Sequence, residues 1–484
     1  MTGEDAENTD QLTIEPLSTM RLLGIVGAIT LALSIINMPI PSAAAVDRKS
    51  FSIAVSSWDR KGGLIAADVN GDGARDLIIT QPSTIVAYAQ SGTKLWSVAN
   101  PSIQLGGQSE SDGLPGLHGA GVQAGDIDND GITEVLYVTT DNRLRLINGL
   151  NGSIERTISL PAVSSRYNRW EHAIISNFRR NGDSDLLLSA SVVINSSGYL
   201  RATKIAAYSF ASLASAGAGA NALWSRSDFV SPSHGHPRVA DLDRDGRDEV
   251  VGGIVVSHDG SKRVDIGVGN QASPHIDSLA IGDITPTSAG LEAVAVEEGG
   301  ERRVIMYNKS RVLWSKSRKP ATDGDKVQIG NYHTGLPGLE IFLRGAESND
   351  MWVMNRLGNT IAAYDFDTVK QPQSWTDAGI EVIFAIHWTG ETRQLNATKE
   401  RHEAGDVGIF DPLTAKFIQV FDEAADRVYV ADLAGDWREE LVVISGSNLR
   451  IYRNLDANPR PNVTSLWSDP LYNRLKMTWN YYSP

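Results

Sequence analysis

Short runs of β-branched and aromatic residues, separated by turn residues, recur along almost the whole chain. Ile85–Tyr88, Leu144–Ile147 and Val304–Tyr307 are examples, and each is followed by a turn and a second apolar run. Runs of this kind bounded by Gly, Asn or Ser predict β-strands. Helical periodicity is nearly absent, and the Ala-, Gly- and Ser-rich residues 210–223 predict a loop. The pattern therefore predicts an all-β protein.

A repeated acidic motif marks the start of each predicted unit. Complete copies carry oxygen-bearing side chains at offsets 0, 2, 4 and 8 and glycine at offset 5, and they begin at Asp68, Asp126 and Asp241. Weaker copies begin at Asn177, Asp283, Asn331, Asp377 and Asp432. Eight units of four short strands predict one eight-bladed β-propeller over residues 46–484, with a C-terminal blade at 427–484. A string of small β-sandwiches would need recurring linkers, which the sequence lacks.

The complete copies have the DxDxDG pattern of a calcium-binding loop. Carboxylates two positions apart in an extended turn point to one side, glycine allows the bend, and a final acid closes the oxygen cage that Ca²⁺ prefers. β-Branched runs flank the motif where an EF-hand has helices, so an EF-hand is excluded. We expect calcium to clamp the turn and to take no part in chemistry. The loop with Asn177, Arg179 and Asn181 has too few anionic ligands and is predicted to be empty. The predicted metal ligands are Asp68, Asn70, Asp72, Asp76, Asp126, Asp128, Asp130, Glu134, Asp241, Asp243, Asp245 and Glu249.

Histidines and cations cluster just before the predicted innermost strands. Because each acidic loop follows an innermost strand, the acidic loops share one face, here called the acidic-loop face. Residues that precede the innermost strands then share the opposite face, here called the entrance face. Those positions hold His118, Trp170–His172, His234, His236, His275, Asp277, Asp325, Lys326 and Arg427. A ring of His, Lys and Arg around the axis predicts a pocket that receives an anion.

Charge and cysteine content exclude several function classes. The 484 residues have a net charge of −14, which opposes binding to the phosphate backbone of nucleic acids. The chain has no cysteine, so disulfides, thiolate metal sites and cysteine nucleophiles are excluded. We expect a monomer that does not bind nucleic acid.

The N-terminal residues 1–45 have the features of an export signal. An apolar run, Leu22–Ile36, follows Arg21, and Ser42–Ala45 offers a small-residue cleavage site after two prolines. Met20 with Arg21 makes a better signal start than the acidic residues 1–19, which indicates Met20 as an alternative translation start. We expect a secreted or extracytoplasmic protein cleaved near Ala45, with membrane attachment only if this segment stays uncleaved.

Several motifs resemble those of rhamnogalacturonan lyases of polysaccharide lyase family 11, which are eight-bladed calcium-binding propellers. The clearest is Gly-Asp-Trp-Arg-Glu-Glu at 435–440, followed by Leu449–Tyr452 and Ser468–Tyr472. Asp248–Gly260 and Gly290–Val294 are also similar to the family, and His275-Ile-Asp277-Ser stands where the family has His-Gly-Asp-Ala. The resemblance implies calcium-dependent β-elimination within a rhamnose–galacturonate backbone, and it implies an acidic polysaccharide as the partner.

The resemblance also implies roles for individual residues. Lys326, at the position of a functional arginine in the family, would bind the uronate carboxylate or act as the base. His275 and Asp277 would position the substrate or an additional cation. Four further residues would hold flanking sugars or act as an acid or stacking group: His236, Arg393, Arg427 and Tyr482.

Two of the chain's departures from the family pattern keep a second function open. A lysine expected in the penultimate blade is replaced near Ile409, and the tail after Trp479 is short. These differences favour a non-catalytic calcium-binding propeller that recognises a glycan or a cell-surface partner, as integrin-like propellers do. The Gly-Asp-Trp-Arg-Glu-Glu motif and the His275–Asp277 segment favour the lyase.

Overall fold

Eight four-stranded antiparallel sheets follow one another along the chain as the blades of a β-propeller. The computed structural model describes residues 41–55, 58–59, 61–107, 119–163, 169–345, 350–366, 375, 379–400 and 405–480. Seven blades are built from consecutive strands, so the chain runs from the innermost to the outermost strand of a blade and then enters the next. The eight-bladed fold predicted from the acidic repeats is confirmed.

The strand bounds are as follows. An N-terminal strand β1 spans Val46–Ser52. Blade 1 contains β2 (Gly63–Ala67), β3 (Asp76–Gln81), β4 (Thr84–Tyr88) and β5 (Lys94–Ala99). Blade 2 contains β6 (Gln123–Gly125), β7 (Glu134–Val138), β8 (Arg143–Asn148) and β9 (Ile154–Ser159). Blade 3 contains β10 (His172–Ser176), β11 (Asp185–Val193), β12 (Leu200–Ser209) and β13 (Trp224–Arg226). Blade 4 contains β14 (Arg238–Ala240), β15 (Glu249–Val251), β16 (Ile254–Val256) and β17 (Lys262–Asp265).

The remaining blades follow the same order. Blade 5 contains β18 (His275–Gly282), β19 (Glu292–Glu298), β20 (Arg303–Tyr307) and β21 (Val312–Ser317). Blade 6 contains β22 (Gly324–Gly330), β23 (Glu340–Gly345), β24 (Asp350–Met354) and β25 (Thr360–Asp365). Blade 7 contains β26 (Ile380–Ile386), β27 (Leu395–Glu400), β28 (Gly405–Asp411) and β29 (Lys416–Ala425). Blade 8 contains β30 (Arg427–Ala431), β31 (Glu440–Ser445) and β32 (Asn448–Asn454).

The first and last strands of the propeller pair with each other in blade 8. Strand β1 pairs antiparallel with β32, in a register that runs from Val46 opposite Asn454 to Ser52 opposite Asn448. The fourth strand of the last blade therefore comes from the N-terminal end of the propeller. This pairing covers the edge that β32 would otherwise expose, and it closes the ring.

Burial follows the position of a strand within its blade. The innermost strands β2, β10 and β30 are buried along their whole length, whereas the outermost strands β5 and β9 each have one buried residue and are otherwise exposed or half-buried. Strands covered on both faces need continuous apolar runs, whereas strands at the outer edge of a blade tolerate polar residues because water reaches them. The apolar side chains pack between neighbouring blades, as Leu64 of blade 1 does against Val428 of blade 8.

Within the described residues, two short α-helices accompany the strands. Helix α1 spans Phe210–Ala216, between the third and fourth strands of blade 3, so the loop predicted for residues 210–223 is wrong in its first half. Ser209 caps this helix by accepting a hydrogen bond from the N–H of Ser212, and Phe210 and Leu213 are buried. The cap and the two buried side chains stabilise a helix here, although the Ala-, Gly- and Ser-rich composition suggested a loop.

The C-terminal helix α2, Pro470–Thr478, lies at the axis of the ring. Asp469 caps it and Pro470 occupies its first turn, a combination typical of helix starts. Arg474 contacts Asp183 of blade 3 and Asp248 of blade 4. Beyond the helix, the indole Nε1 of Trp479 donates to the carbonyl of Leu64 at 3.0 Å. Leu64 stands at the entrance end of β2, so this segment passes through the ring from the acidic-loop face toward the entrance face.

The blade 7 repeat differs from its prediction. Asp377, taken from the sequence as the eighth motif start, lies outside the described residues. The turn between the first and second strands of blade 7 is instead residues 387–394. It begins with His387 and carries no DxDxDG pattern, so strand position and motif position do not coincide in this blade. Within the described residues, no helix has the length and apolar character needed to cross a membrane.

Candidate active site and acidic loops

The complete acidic motifs form the turns between the first and second strands of blades 1, 2 and 4. In each turn the first aspartate accepts a hydrogen bond from the backbone N–H of the motif glycine. The pairs are Gly73 with Asp68 (2.9 Å), Gly131 with Asp126 (3.0 Å) and Gly246 with Asp241 (2.8 Å). These glycines have φ values of 85°, 87° and 87°, a left-handed conformation that favours glycine. The motif glycine therefore sets the bend of the acidic turn.

The blade 2 loop has the donor set of a cation site. Asp126, Asp128, Asp130 and Glu134 each offer a carboxylate oxygen, and these oxygens all lie within 4.8 Å of one another. Asp128 Oδ1 and Glu134 Oε1 are buried and have no hydrogen-bond partner. Burial raises the pKa of Glu134 to about 7, although the N–H of Ile127 donates to it. Buried oxygens without partners are costly, so this loop fits a hard cation such as Ca²⁺.

The blade 1 loop has the same backbone turn with one amide among its ligands. The Oδ2 of Asp76 accepts hydrogen bonds from the N–H groups of Val69 and Asn70, and burial raises its pKa to about 6. Asn70 Nδ2 donates to Asp72 Oδ2 at 3.0 Å. Within the described residues no ion pair neutralises the acids of this loop. Its oxygens also fit a hard cation.

The blade 4 loop differs because a lysine reaches into it. Asp241, Asp243 and Glu249 bring their carboxylate oxygens within 4.8 Å of one another. Lys309 Nζ lies 2.5 Å from Asp243 Oδ2 and 3.0 Å from Glu249 Oε1. Asp245 is more distant, at 3.8 Å from the same ammonium. The acids of this loop therefore already face a positive charge.

The blade 3 loop, predicted to be empty, holds its own cation. Arg179 Nε donates to Asp185 Oδ1 at 2.6 Å, and the N–H groups of Phe178 and Arg179 donate to Asp185 Oδ2. A guanidinium within the loop thus compensates the one buried carboxylate. Arg179 stands at offset 2, where the complete motifs have Asp or Asn, and its ion pair with Asp185 gives a physical reason for that difference.

On the entrance face, two histidines and two carboxylates of blades 4 and 5 form a compact cluster. His275 Nε2 lies 2.8 Å from Glu298 Oε2 and 3.3 Å from Asp277 Oδ1. His234 Nε2, from the segment before β14, lies 3.0 Å from the same Asp277 oxygen. His275 and Asp277 come from the start of β18, and Glu298 ends the neighbouring strand β19. Topology therefore joins residues that are separated in sequence.

The hydrogen bonding of His275 indicates what this cluster can bind. Its Nδ1 lies 2.7 Å from the carbonyl oxygen of Ala272, so Nδ1 carries a proton. In a neutral imidazole, Nε2 would then point a lone pair at the carboxylates of Asp277 and Glu298. That arrangement is favourable if His275 is protonated or if a cation lies among the three groups. His275, Asp277 and Glu298 have ligand atoms close enough to share one metal ion.

Lys326 lies beside this cluster in a second group of buried charges. Its side chain is 1% exposed, and its Nζ lies 3.5 Å from Asp325 Oδ2. Arg344, opposite Lys326 on the paired strand β23, donates to the same oxygen of Asp325. Burial opposes ionisation of Asp325, but the charges of Lys326 and Arg344 prevail and lower its pKa. A hydrogen bond between Asp277 and Asp325 links the two groups, and burial raises the pKa of Asp277.

Two other predicted substrate residues also lie on the entrance face. His236 is buried, its Nδ1 lies 2.8 Å from Ser189 Oγ, and burial lowers its pKa to about 3. Its ring meets that of His172 edge to face at 5.3 Å. Arg427 begins β30 and donates through Nε to the carbonyl of Gly62 at 2.9 Å. Each of these side chains has a partner within the propeller.

Arg393, to which the family resemblance gives a role in holding a flanking sugar, lies apart from the entrance residues. It belongs to the turn between β26 and β27, which follows an innermost strand and therefore lies on the acidic-loop face. Its guanidinium donates to Asp411 Oδ2 at 2.7 Å and to the carbonyl of Tyr332 at 3.1 Å. Arg393 thus joins blades 6 and 7.

The tail leads toward the entrance cluster. Tyr482 and His118 lie outside the described residues. Asn480, the last described residue, approaches the histidine segment of blade 4 so closely that a Cβ on Gly235 would lie 3.0 Å from Asn480 Nδ2. The chain therefore reaches the His234–His236 segment two residues before Tyr482.

Lys399 is an entrance-face cation that the sequence analysis missed. It is fully buried at the end of β27, the second strand of blade 7, and its Nζ donates to the carbonyl of Glu400 at 3.0 Å. Glu298 and Arg344 occupy the corresponding ends of β19 and β23. Ile409, near which the expected lysine seemed to be replaced, lies within the third strand β28 and is fully buried. The penultimate blade therefore does present a lysine, on a different strand.

Comparisons with known proteins agree with this architecture. The model of rhamnogalacturonan lyase family 11, C-terminal domain, matches residues 188–483, and an FG-GAP-like repeat matches residues 68–137. Rhamnogalacturonan endolyase YesW of Bacillus subtilis (strain 168) is 26% identical over 477 residues, which cover 85% of this chain and 70% of the relative. Rhamnogalacturonan exolyase YesX of the same organism is 24% identical over 488 residues, with coverage of 85% and 74%.

A solved structure gives an independent comparison of the fold. The V. cholerae biofilm matrix protein Bap1 superposes with a TM-score of 0.51 at 14% identity, over 87% of this chain and 93% of Bap1. At that identity the likeness concerns the propeller fold alone. The family model, in contrast, extends over more than half of the chain, through blades 4 to 8 and helix α2. This chain therefore belongs to rhamnogalacturonan lyase family 11.

Proposed function

We propose that the protein is an exported lyase that cleaves a rhamnogalacturonan-type acidic polysaccharide by β-elimination. The observation that carries the proposal is the pair of buried cations, Lys326 and Arg344, around Asp325 on the entrance face. Two cations and one carboxylate leave one net positive charge. A single uronate carboxylate in the substrate would balance that charge.

β-Elimination requires two chemical functions in the site, a base and a fixed positive charge. A base removes the proton on C5 of the uronate, the C4–C5 double bond forms, and the bond from C4 to the glycosidic oxygen breaks. The leaving oxygen takes up a proton, so no water is consumed. Fixed positive charge near the uronate carboxylate stabilises the enolate-like intermediate, and the base must stand within hydrogen-bond reach of C5.

The buried cations supply candidates for both functions. Arg344 presents a planar guanidinium that suits a carboxylate, and Lys326 adds a second donor beside it. Lys326 and Lys399 are the candidate bases, because each carries an amine on the entrance side of its blade. His236 and Arg427 would border neighbouring sugars, and Tyr482 would join the site from the tail.

His234, His275, Asp277 and Glu298 would hold a divalent cation next to this charge group. When bound, such an ion supplies positive charge that neutralises the substrate carboxylate. Neighbouring groups orient the side chains that would bind the ion. The carbonyl of Ala272 accepts a hydrogen bond from His275 and fixes its ring, and Asp325 shares a hydrogen bond with Asp277. The oxygen-rich loops of blades 1 and 2 would bind Ca²⁺ as clamps on the acidic-loop face, remote from the chemistry.

The test is ultraviolet detection of the unsaturated uronate product after incubation with rhamnogalacturonan and Ca²⁺. Activity is expected for the wild-type protein and lost in Lys326→Ala, with Lys94→Ala, an exposed lysine of β5, as the matched control. The size of the products separates internal from terminal cleavage. Binding of the polysaccharide without product would overturn the lyase proposal and favour a non-catalytic glycan-binding propeller.

A further inference from the structure

Lys309 connects two blades through the acidic loop of blade 4. It lies in the turn between β20 and β21 of blade 5, but its ammonium ends among the acids of the neighbouring blade. The Nζ atom lies 2.5 Å from Asp243 Oδ2 and 3.0 Å from Glu249 Oε1, and the lysine side chain is only 14% exposed. These two acids stand at offsets 2 and 8 of the motif, where a calcium loop has its metal ligands.

Among the residues that the structure describes, the neighbouring blades provide no such cation to the loops of blades 1 and 2. The turn between the third and fourth strands packs against the acidic loop of the preceding blade, as Gly149 of blade 2 does against Val69. Residues 149–153 of that turn contain neither lysine nor arginine, and the same is true of residues 210–223 of blade 3. In the described part of the chain, the one basic side chain that forms an ion pair with the blade 2 loop is Arg156 of β9, which lies 3.3 Å from Asp128 and is 47% exposed.

A buried ammonium and a bound calcium ion compete for the same carboxylates. Lysine offers three donors around one compact charge, and Lys309 directs it at Asp243 and Glu249. Calcium would have to displace that ammonium and leave it half-buried without a partner, which is costly. The loops of blades 1 and 2 impose no such exchange.

We propose that Lys309 is the resident cation of the blade 4 loop, and that it clamps blade 4 to blade 5 in place of calcium. The DxDxDG motif of this loop is intact in sequence, yet its carboxylates at offsets 2 and 8 lie beside an ammonium of the chain itself. The acidic loops of blades 1, 2 and 4 would then differ in metal binding in spite of their common sequence pattern.

The test is a count of calcium ions per chain, by elemental analysis after dialysis against a calcium buffer. Lys309→Met should bind one more ion than the wild-type protein, because the acids of the loop lose their partner. Lys309→Arg should keep the wild-type number. Lys262→Met, which removes an exposed lysine of blade 4, is the matched control for loss of a positive charge.

A second variant tests the same point without altering Lys309. Asp243→Ala should leave the calcium count unchanged, whereas Asp128→Ala in the blade 2 loop should lower it by one. An unchanged count in folded Lys309→Met, or loss of one ion in Asp243→Ala, would overturn the proposal. The count needs no polysaccharide, so its outcome is independent of the lyase activity.

Discussion

Lys476 Nζ lies 3.0 Å from Glu439 Oε1 and joins the C-terminal helix α2 to blade 8 at the axis of the propeller. Glu439 is 2% exposed, and it also accepts a hydrogen bond from Tyr472 and contacts His387. It directly precedes Glu440, the closing acid of the last motif. Asp248, which binds Arg474 of the same helix, directly precedes the closing acid Glu249 in blade 4. The position before the closing acid therefore faces the axis and holds the helix.

Loss of the Lys476 charge is expected to destabilise the propeller. In Lys476→Met the buried carboxylate of Glu439 loses its cation, and removal of one partner of a buried pair costs about 3 kcal/mol. Chemical denaturation at neutral pH measures the free energy of unfolding. Lys94→Met, on the outer strand β5, is the control and should change that free energy little. Equal stability of Lys476→Met and the wild-type protein would contradict the inferred role of the pair.

The same pair makes a prediction for acid pH. Burial opposes ionisation of Glu439, but Lys476 and His387 prevail, so its folded pKa lies below the usual value of 4.5. A carboxyl group with a lowered pKa contributes stability above its unfolded pKa and loses it as pH falls. The difference in unfolding free energy between wild type and Lys476→Met should therefore be full at pH 7 and shrink below about pH 4.5. A difference independent of pH would show that Lys476 acts through packing alone.

The parts of the molecule that sequence analysis predicted are those encoded by local patterns. The acidic turns repeat a motif of a few residues, so the blade count and the two faces followed from their spacing. His275, Asp277 and Lys326 were placed correctly on the entrance face because they directly precede or begin an innermost strand.

The missed residues depend on strand pairing, which no local pattern reveals. Glu298, Arg344 and Lys399 end second strands, and they reach the site only through register with the first strands. A charged residue that closes an apolar run was their one signal. Arg393 lies in a turn of blade 7 that lacks the motif, so no local pattern indicated its face. Helix α2 carried its own signal, Asp469 followed by Pro470, within a chain otherwise dominated by strand patterns.

Removal of the N-terminal strand should open the ring. A variant in which glycine and serine replace residues 46–52 loses the pairing of β1 with β32, and each backbone hydrogen bond contributes roughly 1 kcal/mol. We expect a lower thermal midpoint and self-association through the exposed edge of β32. A synthetic peptide of residues 45–54 added in trans should restore the midpoint, while a scrambled peptide should not. Cleavage near Ala45 would leave β1 whole. A variant with the wild-type midpoint would disprove that β1 holds the ring closed.

Calcium removal should lower the thermal stability of the protein, in part because the blade 2 loop loses the ion that Glu134 helps to bind. Glu134→Gln keeps an acceptor for the N–H of Ile127 but removes a charge from the predicted cation site. Bound at a hundredfold excess over its Kd, calcium would stabilise the protein by about 2.7 kcal/mol. Chelation should therefore lower the thermal midpoint of the wild-type protein more than that of Glu134→Gln. Glu301→Gln, an exposed acid of blade 5, is the control and should respond like the wild type. An equal response of Glu134→Gln would argue against a cation at this loop.

Lys399 should matter for catalysis although it is remote in sequence from the other entrance residues. Lys399→Met removes the amine from the end of β27 and keeps the length of the side chain. If Lys399 acts as a base or stabilises the developing negative charge, the rate of unsaturated product formation should fall by about 100-fold or more. Lys399→Arg separates the two roles, because a guanidinium keeps the charge but does not accept a proton. Recovery in Lys399→Arg would indicate charge stabilisation, and loss in both variants would indicate proton transfer. Circular dichroism checks the fold of each variant, and wild-type rates in folded Lys399→Met would exclude Lys399 from the reaction.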